Sequence, residues 1–184
     1  MAPKANRAVF LDRDGVLNEP ILRDGRPYPP MTVGQLRLTP GAADAIRALK
    51  DAGFLLIVVT NQPDVARGTQ TQEAVGAINA AIAALLPVDE FAVCWHDDAD
   101  GCHCRKPRPG LLLDSALRHR IDLASSYLIG DRWRDIDAGV AAGCRTILID
   151  RHYQERAPEH SPDFRAESIV AAAGWILMHQ RQIG

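Results

Sequence analysis

Short β-rich apolar runs alternate with amphipathic stretches along most of the chain, and that alternation limits the fold more than any other feature. Ala8–Leu11, Leu55–Thr60, Phe91–Trp95, Tyr127–Ile129 and Thr146–Ile149 have strand length and strand composition. Between them, Gly41–Ala52, Thr71–Leu86, Leu111–His119 and Asp135–Ala142 carry helical patterns, with Gly53 and Gly143 placed as stops. Strand, helix, strand in repetition predicts right-handed β-α-β units. The expected fold class is α/β: a three-layer, Rossmann-like open parallel sheet that binds ligands at the carboxyl ends of its strands. The polar residues ending those strands therefore matter most: Asp12 after the first, Thr60 and Asn61 at the second, Gly130 and Asp131 after the fourth.

At 184 residues and 47% hydrophobic content, one domain spanning residues 1–184 is expected. Lysine plus arginine (21) nearly balances aspartate plus glutamate (23), and only 5% of residues are aromatic, which argues against nucleic-acid or anionic-membrane partners. The apolar run before Asp12 is four residues long, too short for a signal core, so a cytoplasmic chain is expected, acting as a monomer. Pro20–Met31 reads as a long loop able to wall the substrate site. Beyond a polar tail at Arg151–Pro162, Phe164–Met178 reads as a final amphipathic helix.

Phosphoryl transfer needs a nucleophile, a proton donor for the leaving group and cations on the phosphoryl oxygens. In FLDRDGVLN, Asp12 can attack as a carboxylate and Asp14 can donate the proton, with Gly15 allowing a sharp turn; DRDG alone also suits an ordinary polar turn. In GDRWRD, Asp131 can share a Mg2+ ion with Asp12 and the backbone carbonyl of Asp14, although Asp131 or Asp135 could instead cap the following helix. Thr60 offers a hydroxyl, with Asn61 beside it. In CRKPRPG, Lys106 offers a fixed cation and Arg105 a fork for a second oxyanion, unless the turn is simply solvated. Cys94, His96, Cys102 and Cys104 fall within eleven residues and can close a tetrahedral Zn2+ site, which implies structure rather than catalysis; His103 is a spare and Cys144 stands apart.

Together these four pieces resemble, in order, the motifs of the haloacid dehalogenase (HAD) superfamily of phosphohydrolases, over Ala8–Asp150. The resemblance implies a capless HAD phosphatase with Asp12 as nucleophile, Asp14 as general acid and base, Thr60 and Lys106 as phosphoryl stabilisers and Asp131 on Mg2+. The Cys-x-His…Cys-x-Cys-Arg-Lys-Pro arrangement is similar to the branch holding the heptose 1,7-bisphosphate 7-phosphatases and the histidinol-phosphate phosphatases, and Thr60–Gly68 looks closer to the heptose enzymes. It implies a phosphorylated sugar substrate, with Asn18, Asn61, Gln62, Arg105 and Arg132 as contacts and the two arginines on a second phosphate. Trp95 and Pro63-Asp64 depart from the usual proline and Ser-Gly of that branch. A zinc-stabilised binding module is the non-enzymatic alternative.

Overall fold

The computed structural model describes residues 5–23 and 26–183. Residues 1–4, part of the stretch read for a leader, and residues 24 and 25 of the expected Pro20–Met31 loop lie outside it. Six parallel strands form one sheet: β1 (Ala8–Leu11), β4 (Leu55–Asn61), β5 (Glu90–Cys94), β6 (Tyr127–Gly130), β7 (Arg145–Ile149) and β8 (Phe164–Ala166), in spatial order β5-β4-β1-β6-β7-β8. The helices are α1 (Ala42–Asp51), α2 (Pro63–Ala66), α3 (Gln72–Leu85), α4 (Gly110–His119), α5 (Trp133–Ala142) and α6 (Ile169–Ile183).

The layers follow from the two-residue alternation of a strand. Val9 and Leu11 of β1 pack with Ile46 and Leu49 of α1, Ile78 and Ile82 of α3, and Ile169 and Ile176 of α6. Ala8 and Phe10 face the other way, onto Leu112 and Ala116 of α4 and Ala138 of α5. All four β1 residues are fully buried, which is why the run is continuously apolar rather than alternating. From β1 the chain moves outward through β4 to β5, then returns to β6 on the other side of β1 and moves outward again. The crevice at the carboxyl ends of β1 and β6, where the direction reverses, is the place where such sheets bind ligands. Asp12 and Asp131 follow directly on these two strands.

Three expectations are corrected. Phe164–Met178 is not one helix: Phe164–Ala166 pairs with β7 as an edge strand, and α6 begins at Ile169, after the Ser168 hydroxyl has accepted a bond from the Ala171 N–H at 3.2 Å. Pro20–Met31 is not simply a loop, because Ile21–Arg23 (β2) and Arg26–Tyr28 (β3) pair antiparallel, Ile21 opposite Tyr28. Thr71 caps α3 through its hydroxyl at 3.1 Å rather than joining the helix. No helix among the described residues is long and apolar enough to cross a membrane.

Candidate active site

The Asp12 N–H bonds the Ile129 carbonyl at 2.9 Å, extending the β1–β6 ladder by one step and fixing where the Asp12 carboxylate begins. Lys106, only 2% exposed, brings its ammonium 2.8 Å from Asp12 Oδ1, 2.6 Å from Asp135 Oδ1 and 2.7 Å from the Val59 carbonyl. Asp131 completes the group: oxygens of Asp12, Asp131 and Asp135 lie within 4.8 Å of one another. Asp131 Oδ1 is buried and has no hydrogen-bond partner among the described residues. An orphaned carboxylate oxygen costs free energy unless something else satisfies it, and a cation would. Gly15 makes room for that carboxylate: at φ +89°, a Cβ on it would sit 1.8 Å from Asp131 Oδ2.

Charge crowding sets the electrostatics. Burial, opposed by the Lys106 ammonium and reinforced by Asp135, pushes the Asp12 carboxyl up to about 6. Burial, then the facing carboxylates of Asp12 and Asp135, holds Asp131 well above the usual carboxylate range. Lys106 is pushed up: although burial works against its charge, Asp12 and Asp135 outweigh it. Three carboxylates around one ammonium are one positive charge or more short of balance, and their oxygens form a hard donor set suited to a divalent cation.

Asp14, two residues beyond Asp12, is held by a donor set from three directions. Arg13 reaches it through Nε at 3.2 Å and Nη2 at 2.9 Å, Asn18 through Nδ2 at 3.0 Å, and Gln62 through Nε2 at 3.0 Å. Two residues expected as substrate contacts are among these donors. Asn18 is fully buried and Gln62 is 2% exposed, so both face Asp14 rather than the cleft. The fully buried Arg13 was not singled out in the sequence; its Nη1 is anchored on Asn79 of α3 at 3.0 Å.

A cleft of about 320 Å³ opens over these groups, lined by Asp12, Asp14, Thr60, Lys106 and Asp131, with Pro20, Pro27, Tyr28 and Pro29 of the hairpin on one side. Asn61 also lines it, and clamps the Lys106 backbone, donating to its carbonyl at 3.0 Å and accepting from its N–H at 3.1 Å. Arg105 and Arg132 both reach the cleft, but Arg132 turns its guanidinium onto Glu155, with Nε 3.1 Å from Oε2. The guanidinium that stands beside Arg105 is that of Arg134, which lies 4.5 Å from the ring centre of Trp133 and shares Asp98 with Arg105.

Cys94, His96, Cys102 and Cys104 converge as expected. Cys104 Sγ lies 3.3 Å from Cys94 Sγ, 3.5 Å from Cys102 Sγ and 3.4 Å from His96 Nδ1, and Cys94 Sγ lies 3.8 Å from Cys102 Sγ. A tetrahedron with metal–sulfur bonds of ~2.3 Å has edges of ~3.8 Å, so the Cys94–Cys102 pair already has the spacing zinc would set and the Cys104 contacts sit slightly inside it. His103 points away, to Asp114 at 2.9 Å.

Comparison with known proteins decides the family. Residues 103–172 match the HAD-hydrolase-like family model. The D-glycero-D-manno-heptose-1,7-bisphosphate 7-phosphatase of Thermosynechococcus vestitus is 34% identical over 194 residues, covering 94% of this chain and 96% of that protein. The chain belongs to this family of HAD-like phosphatases. The Escherichia coli K12 member, D-glycero-beta-D-manno-heptose-1,7-bisphosphate 7-phosphatase, is 34% identical over 186 residues, covering 95% of this chain and 90% of its own. The crystal structure of the heptose 1,7-bisphosphate phosphatase of B. bronchiseptica, complexed with magnesium and phosphate, matches with a TM-score of 0.80 and 33% identity, covering 94% of this chain and 99% of that one. Within this HAD phosphatase, three further cleft residues were given no role in the sequence reading. They are Arg67 just after α2, Asp98 in the loop between His96 and Cys102, and Arg134 on the first turn of α5. Arg67 closes with Nε and Nη2 on Asp97, each at 2.7 Å, a pairing between distant segments that no local pattern reveals.

Proposed function

We propose that this HAD phosphatase removes the 7-phosphate of a heptose 1,7-bisphosphate through a phosphorylated Asp12. The observation that carries the reading is the buried Asp12 carboxylate held at the crevice by Lys106, beside an Asp131 oxygen with no hydrogen-bond partner among the described residues. Asp12 attacks phosphorus as the bond to the leaving oxygen breaks, and Asp14 gives that oxygen its proton. Asp14 then takes a proton from water, whose oxygen attacks phosphorus and releases Asp12 and phosphate. Thr60 and Lys106 hold the phosphoryl oxygens. Asp12, Asp131 and the Asp14 backbone carbonyl would hold Mg2+, the ion named in the B. bronchiseptica complex. When bound, Mg2+ offsets negative charge on the phosphoryl group. Zn2+ would close the Cys94, His96, Cys102 and Cys104 site with no position left for water, fixing the backbone from which Arg105 and Lys106 project.

The second phosphate would lie on Arg105 and Arg134, with Asn61 close to the sugar and Arg67 at the rim. Arg105→Ala is expected to raise KM for the bisphosphate on the order of tenfold to a hundredfold while changing KM for the 7-monophosphate little, since a charge-assisted bond contributes ~1.5–3 kcal/mol. Steady-state kinetics on the two substrates checks it; equal losses on both would sink the assignment of Arg105 to the second phosphate.

The raised carboxyls make Mg2+ binding pH-dependent. Between the ordinary carboxylate value of 3.8 and about 6, folded Asp12 keeps a proton that the unfolded chain has released. Stability of the metal-free protein therefore falls as pH rises through that window, and above it the ionised site gains most from a cation. The rise in melting temperature on adding Mg2+ should be larger at about pH 7.5 than at about pH 5. A gain independent of pH would separate the cation from Asp12 and Asp131.

A further inference from the structure

The loop between His96 and Cys102 places two aspartates where an anionic substrate should meet only cations. Asp98 Oδ1 accepts from Arg105 Nε at 2.8 Å and from Arg134 Nη1 at 3.2 Å, and Arg134 Nη2 reaches Asp98 Oδ2 at 3.4 Å. Asp97 accepts from Arg67 Nε and Nη2, each at 2.7 Å, and lies 3.8 Å from Arg105 Nη2. The result is a chain of alternating charge along the cleft rim, Arg67, Asp97, Arg105, Asp98, Arg134. The members differ in exposure: the Asp98 side chain is 58% exposed, against 9% for Arg105 and 28% for Arg134. The carboxylate is thus the loosely held partner and the guanidiniums are the fixed ones. Arg105 is pinned by the His96 carbonyl at 3.3 Å and Arg134 by the Trp133 ring. Asp98 itself sits in the short turn Asp98–Asp100 and has these two arginines as its side-chain partners among the described residues.

Charge balance gives the arrangement a consequence. Six carboxylates against five cations line the cleft, Asp98 among the former, so the protein alone offers a bisphosphate no net attraction there. We infer that Asp98 is a specificity-determining residue: it occupies the Arg105–Arg134 fork as a resident anion, which only a ligand carrying a second dianionic group can replace. This rests on the bisphosphate reading above. A phosphate dianion offers three oxygens and a higher charge than one carboxylate, so it exchanges with Asp98, whereas a hydroxyl or a single carboxylate does not. The exposed carboxylate keeps the fork open and aligned between turnovers and makes weaker anions compete with it.

The test compares heptose 1,7-bisphosphate with the 7-monophosphate in the wild-type enzyme and in Asp98→Asn and Asp98→Ala, with zinc content measured to show that the loop is intact. Loss of an exposed resident anion should lower KM for the bisphosphate about three- to tenfold and move KM for the monophosphate less, and adding Arg134→Ala should cancel the gain. Inorganic phosphate should also inhibit the Asp98 variants more strongly. An unchanged or raised KM for the bisphosphate in zinc-replete Asp98 variants, with the wild type still preferring the bisphosphate, overturns the role given to Asp98 alone. A wild type that does not distinguish the two substrates overturns the bisphosphate reading, and this inference with it.

Discussion

Asp12→Asn is expected to lower kcat by on the order of 10⁴-fold or more, because an amide oxygen cannot form the covalent intermediate that divides hydrolysis into two steps. The substitution is nearly isosteric, and an amide oxygen can still accept from the Lys106 ammonium that now lies 2.8 Å away. Folding should survive it. Burial has already pushed the Asp12 carboxyl up to about 6, so removing that charge relieves the metal-free protein at neutral pH rather than destabilising it. Rapid acid quench with a phosphate-labelled substrate should trap phosphoenzyme in the wild type and none in the variant, whose melting temperature without metal should be equal or higher. A variant that keeps a tenth of wild-type kcat would mean that water attacks phosphorus directly.

Cys104→Ser should have the second-largest effect, and on two observables at once. Cys104 lies within 3.3–3.5 Å of the other three ligands and two residues before Lys106. Losing it opens the site, and the backbone carrying Arg105 and Lys106 loses its anchor. A structural zinc contributes folding free energy directly, so we expect zinc content to fall and the melting temperature to drop by ~10 °C. The accompanying fall in kcat should be about 10- to 100-fold, as for groups that support a site without touching the reacting atoms. Elemental analysis, thermal melts and kinetics on one preparation check all three; a zinc-free protein with unchanged kcat would show that the loop does not position Lys106.

The sequence was most legible where burial leaves it no freedom. Strands buried on both faces read as continuous apolar runs, so Asp12, Thr60 and Asp131 stood out as the first polar groups at their ends, and their convergence follows from the parallel order. The Cys/His loop was readable because its ligands are close in sequence. Side-chain direction within loops was not. Asn18 turns back onto Asp14 because the Gly15 N–H bonds the Asn18 carbonyl at 2.7 Å, a closure that spacing alone cannot show. Arg13 resembles a solvated charge until Asn79, 66 residues away, brings α3 over it. Arg132 and Arg134 lie two residues apart, and which one joins Arg105 is settled by Glu155 drawing away the first and Trp133 supporting the second. Phe164–Ala166 is too short for its apolar pattern to tell strand from helix, so only pairing with β7 identifies it.

Removal of the 7-phosphate can be followed directly by phosphorus NMR of heptose 1,7-bisphosphate with the purified protein and Mg2+. The C7 phosphomonoester signal should decay into inorganic phosphate while the anomeric phosphate persists, and Asp12→Asn should leave both signals intact. Loss of the anomeric phosphate first, or no release at all from a zinc-replete, folded protein, would contradict removal of the 7-phosphate.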